Sequence, residues 1–292
     1  VPAALEASLG GSLDLDASSL VLITGGARGI TAGAAVELAR RTGCKLALVG
    51  RSALPGPEDS GYEQAEDLPA LRKAIIAEGS IKDPRSIEAK CRRIMAAREV
   101  RRTLDALRTA GSDFEYHPLD VRDSEAFGRL IDDLYARHGR IDGVIHGAGI
   151  IEDKLMLDKS KDSFDRVFDT KVSAARVLEA RLRDDVRFVV FFSSVSGAFG
   201  NRGQTDYAAA GDVLDKLAVE LQRRIKGRVV SIDWGPWAGT GMVSRELARE
   251  YARQGVGLIP VDEGIERLFQ ELGSPSRDAQ VILMAAKPST MA

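Results

Sequence analysis

The chain has 292 residues, 44% of them apolar and 29% charged, which is enough for one large or two small domains with a real core and excludes a disordered or peptide-like chain. Its 41 Lys and Arg against 43 Asp and Glu leave a net charge of −2, so nothing electrostatic points to nucleic acid or anionic lipid as a partner. No run approaches the roughly 18 to 20 apolar residues of a membrane span, and Cys44 and Cys91 are spaced for neither a disulfide framework nor zinc. Glu6, Asp14 and Asp16 interrupt the amino end, so it is no signal peptide and a cytoplasmic setting is expected. Residues 1–19 and 286–292 read as linkers, and the ends together suggest a segment of a longer polypeptide.

Short apolar or β-branched runs at about 20–24, 45–49, 114–119, 142–146, 187–193, 228–233 and 280–285 alternate with helical patterns. This predicts an α/β fold: a Rossmann-like, doubly wound parallel sheet of about seven strands, with a helical insertion between strands two and three. The first run leads into Thr24-Gly25-Gly26-Ala27-Arg28-Gly29-Ile30-Thr31 and then a helix to Thr42. Glycines between a strand and a helix let backbone amides approach a pyrophosphate at the helix amino terminus, although the three-glycine fingerprint fails at Thr31. The second run ends Val49-Gly50-Arg51-Ser52, where a carboxylate would bind an unphosphorylated ribose. An Arg with a neighbouring hydroxyl favours NADPH instead, with Arg28 as a second cation.

About sixty residues separate strands two and three, so an insertion spans about 53–112. Ser52 to Gly61 reads as a loop, and 66–78 and 85–109 as helices. Residues 84–109 hold eight Lys and Arg (Arg85, Lys90, Arg92, Arg93, Arg98, Arg101, Arg102, Arg108) against three acids, including Glu99. That composition suits either a solvated helix face or a docking face for an acidic partner.

A helix over 160–182 carries Phe164, Val167, Phe168, Val172, Ala175 and Leu178 on one stripe, with Lys171 on the same stripe. The fully apolar strand at 187–192 delivers Ser193 and Ser194 at its carboxyl end, where ligands bind in open α/β sheets, though two serines also suit a turn cap. In the helix over 204–226 the stripe Leu214, Leu217, Ala218, Leu221 and Ile225 extrapolates back to Tyr207 and position 211, aiming Tyr207 at the crevice.

Together, Thr24 to Gly29, Ile145-His146-Gly147-Ala148-Gly149, Ser194 with Tyr207 thirteen positions later, and Trp234-Gly235-Pro236-Trp237 resemble the short-chain dehydrogenase/reductase superfamily. Lys171 in Asp169-Thr170-Lys171-Val172 and the stretch from Phe192-Ser193-Ser194 to Tyr207-Ala208-Ala209-Ala210 resemble the ketoreductase domain of polyketide synthases over 20–285. The insertion with Ala97-Arg98-Glu99-Val100-Arg101 and the Thr31 turn are similar to ketoreductases of iterative polyunsaturated-fatty-acid and enediyne synthases.

The resemblance implies a β-ketoacyl reductase in which NADPH gives hydride to a thioester's β-carbonyl, Tyr207 gives the proton, Ser194 bonds the oxygen and Lys171 holds ribose and stabilises tyrosinate. It also implies cofactor contacts at Thr24, Gly25, Gly26, Arg28, Gly29, Ile30, Arg51, Ser52, Asp120, Val121, Gly147, Ala148, Gly149, Lys171 and Tyr207. His146 would pack beside the cofactor, Trp234 and Trp237 would wall its pocket, and no metal is expected. An acyl carrier protein and neighbouring domains of a multidomain synthase are the implied partners. In this family an Asn stands four residues after the tyrosine, but here it is Gly211, so a water, Asp212 or Gln204 would have to complete the relay. The non-catalytic subdomain that usually precedes such domains is not in this sequence, and it would either lie elsewhere in a parent chain or not exist. Ile151-Glu152-Asp153 keeps the last acid of the Leu-Asp-Asp motif of D-selective members, and Phe199 replaces the tryptophan of the opposite type, so the D product is expected. The alternatives are a catalytically impaired cofactor-binding scaffold and a stand-alone short-chain alcohol dehydrogenase.

Overall fold

The computed structural model describes residues 13–54, 56, 61–239, 245–253 and 255–286. The fold opens with β1 (Leu20–Thr24), α1 (Gly29–Thr42) and β2 (Lys45–Gly50), followed by the inserted α2 (Leu68–Glu78) and α3 (Pro84–Thr109). Next come β3 (Phe114–Pro118), α4 (Ser124–His138), β4 (Gly143–His146), a 3-10 turn at Met156–Asp158 and α5 (Lys161–Arg181). Then follow β5 (Phe188–Ser194), the short α6 (Val195–Phe199), α7 (Thr205–Arg224) and β6 (Arg228–Trp234). The chain closes with α8 (Arg245–Arg253), β7 (Val256–Gly257), α9 (Val261–Leu272), β8 (Gln280–Leu283) and β9 (Ala285–Ala286).

Seven strands form one parallel sheet in the order β3-β2-β1-β4-β5-β6-β8. The order reverses between β1 and β4, which opens a crevice at the carboxyl ends of those strands. The central strands read as unbroken apolar runs because both faces are covered. Val21, Ile23, Leu46 and Leu48 face a core shared with α1, α3 and α9, while Leu20, Leu22, Val144, Val189 and Phe191 face a second core under α4, α5 and α7. The helices start at residues suited to it: Asp67, Asp83, Asp123 and Ser160 each accept a backbone N–H from the first turn of the helix they precede.

Two boundaries differ from expectation. At the expected amino-terminal linker, Leu13 and Leu15 pack against the first core and Ser19 is buried. The expected last strand is two elements, β8 in the main sheet and β9 paired antiparallel with β7. The rest of the expected linkers, residues 1–12 and 287–292, lies outside the described residues.

The insertion has a small core of its own, with Tyr62, Ala65, Leu71, Ile75, Ile87, Cys91 and Ile94, and α3 continues from it into the main core through Val100, Leu104 and Leu107. Its basic residues do not form one uniform face. Arg98 is buried and donates to the carbonyls of Tyr62, at 2.6 Å, and Ala65. Lys90 donates to Tyr62 Oη at 2.6 Å and to Glu78 at 3.1 Å, and Arg101 to the Gly56 carbonyl at 2.6 Å. Arg92, Arg93 and Arg102 are exposed.

Candidate active site

The glycine turn after β1 is packed against the loop after β4. Gly25 has φ +74° and a Cβ there would come within 3.0 Å of the Gly147 carbonyl and of Ala148 N, so both conformation and space require glycine. The departure at Thr31 has a counterpart: its buried side chain fills the space a Cβ on Gly147 would need. Thr24 is fully buried, bonded to His146 Nδ1 at 2.6 Å and accepting the Ala148 N–H at 3.3 Å. Its side chain is therefore bonded inside the protein. Gly26 is likewise closed in, between Ile23 and Leu48.

Arg28 and Gly29, by contrast, are exposed. The Gly29 N–H donates to Glu99 Oε1 at 2.7 Å and Arg28 Nε to Glu99 Oε2 at 2.8 Å. A carboxylate from α3 thus sits on the amino terminus of α1, and its two donors converge on one anion position. These residues fit a phosphate group, because an exposed ion pair of this kind yields readily to a stronger anion. The sequence marks Glu99 as an acid of the insertion and part of its Ala97-Arg98-Glu99-Val100-Arg101 stretch, with nothing to aim it at Gly29.

At the end of β2 Arg51 is exposed, and the Ser52 carbonyl accepts from Tyr116 Oη at 2.7 Å. Asp120 pairs with Arg122 at 2.6 Å; that bond, with Arg51 adding from further away, holds its carboxyl below the usual range. The Val121 side chain is part of the core, so only its backbone is available to a ligand. Gly147, Ala148 and Gly149 are half-buried along the crevice, and a Cβ on Gly149 would come within 3.3 Å of Lys171 Cε.

Lys171 of α5 and Tyr207 in the first turn of α7 are brought together, and Ser194 ends β5 two residues after Phe192, whose carbonyl Lys171 bonds. Lys171 is 3% exposed; its Nζ donates to the Phe192 carbonyl at 2.6 Å and lies 5.0 Å from the centre of the Tyr207 ring. Burial pushes the ammonium down to about 8, against the pull of Asp215 and Asp233. Burial likewise pushes the Tyr207 hydroxyl up to about 12, with Asp153 and Tyr251 adding to the shift. Ser194 Oγ accepts the Ser196 N–H at 3.2 Å, so it does cap α6 while lying at the crevice. His146 is buried, its Nε2 on the Lys171 carbonyl at 2.9 Å, and burial pushes it down to about 3, so it is neutral and structural.

The space where the family asparagine is expected is closed. A Cβ on Gly211 would lie 3.0 Å from Ser193 Oγ and 3.1 Å from Gly197 Cα, because α6 and α7 touch backbone to backbone at these two glycines. Neither suggested substitute is free. Gln204 donates to Asp153 Oδ2 at 3.0 Å and accepts from Ser196 Oγ at 2.8 Å and Asn201 at 2.9 Å, while Asp212 pairs with Lys216 at 2.9 Å. Trp234 and Trp237 also depart from expectation: both are core residues, with ring centres 4.7 Å apart, and not walls of an open pocket.

Two loops border the crevice. The one with Asp153 is tied down by Gln204, by Glu152 on Ser163 Oγ and Arg166, both at 2.7 Å, and by a buried pair of Lys159 with Asp206 at 2.6 Å. Phe199, the last residue of α6 and the entry to the other loop, is 60% exposed. The Lys159–Asp206 pair, beside Tyr207, has no signature in the sequence. Among the described residues no cluster of His, Cys, Asp or Glu could hold a metal, and no helix is long and apolar enough to cross a membrane.

Residues 19–239 match the family model described as the KR domain. A polyunsaturated fatty acid synthase of Thraustochytrium sp. is, in one of its chains, 33% identical over 85% of this chain, which spans 9% of that protein. Polyketide synthase PksN of Bacillus subtilis is 33% identical over 61% of this chain and 3% of its own length. Among solved structures, the ketoreductase from the first module of phoslactomycin biosynthesis in Streptomyces sp. HK803 superposes with a TM-score of 0.72 at 27% identity, covering 93% of this chain and 54% of that one. A ketoreductase domain from the bacillaene assembly line gives 0.71 at 28%, covering 94% and 57%. On the match over residues 19–239 and the shared sheet and crevice, the chain belongs to the KR, or ketoreductase, domain family.

Proposed function

We propose that this domain reduces the β-carbonyl of an acyl thioester, carried on an acyl carrier protein, with NADPH to the D-configured β-hydroxyacyl thioester. The observation that carries the reading is the buried Lys171 ammonium beside the Tyr207 ring, with Ser194 at the adjacent strand end. Arg28, Gly29 and Ile30 would hold the pyrophosphate, Arg51 and Ser52 the 2′-phosphate, Asp120 and Gly147 to Gly149 the adenosine and nicotinamide flanks, and Lys171 with Tyr207 the nicotinamide ribose. Bound NADPH supplies the hydride. Tyr207 gives its hydroxyl proton to the carbonyl oxygen, and Ser194 Oγ donates a hydrogen bond to the same oxygen. A phenol held near 12 is a weak acid at neutral pH, and the protonated Lys171 favours the tyrosinate left behind.

The close contact of Gly197 with Gly211 speaks for an intact site, since the residue that replaces asparagine is fitted to its neighbour. Exposed Arg92, Arg93 and Arg102 offer positive charge to an acidic carrier protein, and the small share of the very long synthases that this chain spans suits a domain with neighbours. The tethering of Asp153 by Gln204 supports a fixed entry path and the D product. The test is continuous NADPH oxidation with carrier-bound and free β-ketoacyl thioesters side by side, followed by chiral analysis. Oxidation with both substrates and mostly D product is expected; no oxidation with either would contradict the reading, and mostly L product would contradict its stereochemical part.

A further inference from the structure

Behind the crevice, under α7, lies a buried acidic cluster that the proposed chemistry does not use. Ser193 and Asp233 are register partners on β5 and β6, and Ser231 and Gln280 on β6 and β8, so these side chains share one face of the sheet. Asp215 comes down on them from α7, two helical turns after Tyr207 and one after Gly211. It accepts from Ser231 Oγ at 2.6 Å on one oxygen and from Gln280 Nε2 at 3.0 Å on the other. The same Gln280 nitrogen donates at 2.8 Å to Asp233, so a single amide group joins the two carboxyl groups. Both acids are at most 1% exposed, and Asp233 Oδ1 and Ser193 Oγ have no hydrogen-bond partner.

Among the described residues no cation bonds to either acid. Neutral hydroxyl and amide donors cannot fully offset two buried negative charges side by side, and the usual outcome is that such a pair keeps a proton between them. Burial raises both groups above the ordinary carboxylate range, Asp215 to about 6 with repulsion from Asp233 adding to its shift, which is the direction that sharing a proton requires. The titratable groups around them are few. Lys216 adjoins Asp215 but is exposed and paired with Asp212. Lys171 is the buried cation that feels both acids, and it is bonded to the carbonyl of the residue just before Ser193. Around Lys171 itself stand Tyr207 of α7 and the neutral His146 of β4, and around Tyr207 stand Asp153 and Tyr251.

We infer that Asp215 and Asp233 form a proton-sharing acid pair whose one negative charge keeps the buried Lys171 protonated beside Tyr207. Both are positioning residues that act through Lys171 and touch no substrate. The inference rests on the proposed reductase chemistry for its kinetic consequence, but the shared proton stands on the cluster alone.

The arrangement makes an unusual demand on isosteric variants. Asp215→Asn or Asp233→Asn supplies the neutral member and leaves the other acid ionised, so the net charge of the pair is unchanged. The double variant removes the charge. In the full chain, the alkaline limb of kcat for reduction of a free β-ketoacyl thioester is expected to stay in place in each single variant. In Asp215→Asn/Asp233→Asn it moves down by about one pH unit, a roughly tenfold loss of kcat where the wild type begins to fall. Infrared spectroscopy provides a readout without turnover: a buried protonated-carboxyl C=O stretch at neutral pH in the wild type, absent from all three variants. An unmoved limb in a folded double variant, a single variant that moves as far as the double, or a wild type without the carboxyl stretch would each overturn the pair. A wild type that shows the stretch but reduces no thioester would leave the pair standing and fail the proposed reaction instead.

Discussion

The helices on the crevice side of the sheet and the inserted pair α2 and α3 use charge in opposite ways. On the crevice side Lys171, Lys159, Asp206, Asp215 and Asp233 are all nearly inaccessible, and each has fixed partners. On the insertion, Arg92 and Arg93 are exposed, and pairs such as Arg72 with Glu88 at 2.7 Å lie in solvent. A buried charge is held by desolvation and changes its neighbours' protonation, whereas an exposed pair contributes about 0 to 1 kcal/mol and is screened by salt. The contrast teaches where to look for each kind of effect: pH dependence belongs to the crevice side, and salt dependence to the insertion.

The largest test of the buried side is acid stability. His146 titrates at about 3 when folded against 6.5 in the ordinary case, so between those values the unfolded chain binds a proton that the folded chain does not. Stability should therefore fall as pH drops through that window, by roughly 5 kcal/mol in all. Urea unfolding of wild type and His146→Gln over the same pH range checks this; the variant should lose that part of the slope, and parallel slopes would remove His146 from the account. A smaller effect is expected at the helix contact. Gly211→Asn must push α6 away from α7 and with it Ser194, costing about 2 kcal/mol and lowering turnover. Restored or increased turnover in that variant would show that an amide is missing from the relay after all.

At exposed positions the effects shrink. Arg51→Asp should shift preference from NADPH towards NADH by about 1.5 to 2 kcal/mol, one charge-assisted contact, read as the ratio of the two dissociation constants. Equal affinity of the wild type for both cofactors would sink the cofactor assignment. Smallest is the paired reversal Arg92→Glu with Arg93→Glu. It should raise KM for carrier-bound substrate a few-fold, less so at high salt, and leave KM for a free thioester unchanged. A rise for both substrates would place the fault in the fold.

Much of this was legible in the sequence for a definite reason. Strands covered on both faces leave unbroken apolar runs, and the α7 stripe from Leu214 to Leu221 fixes the direction of Tyr207 seven residues before it. Contacts between distant segments were not legible, because periodicity tells which face a residue occupies and not what meets it. Glu99 reaches Gly29 across 70 residues and Lys159 reaches Asp206 across 47. For the same reason the resemblance points Trp234 and Trp237 at a pocket while their rings pack in the core. Arg98 was counted with the exposed cations, yet it is buried because carbonyls of the preceding loop accept from it.

The central claim is that Tyr207, supported by Lys171, is the proton donor of a reductase. Tyr207→Phe leaves the ring and the packing in place and removes one hydroxyl, so it separates chemistry from binding. NADPH affinity by fluorescence and NADPH oxidation with a β-ketoacyl thioester should be measured on wild type and variant together. The account predicts NADPH affinity within a few-fold of the wild type and a loss of turnover of about a hundredfold or more. Turnover by the phenylalanine variant close to that of the wild type would contradict the site assignment as a whole.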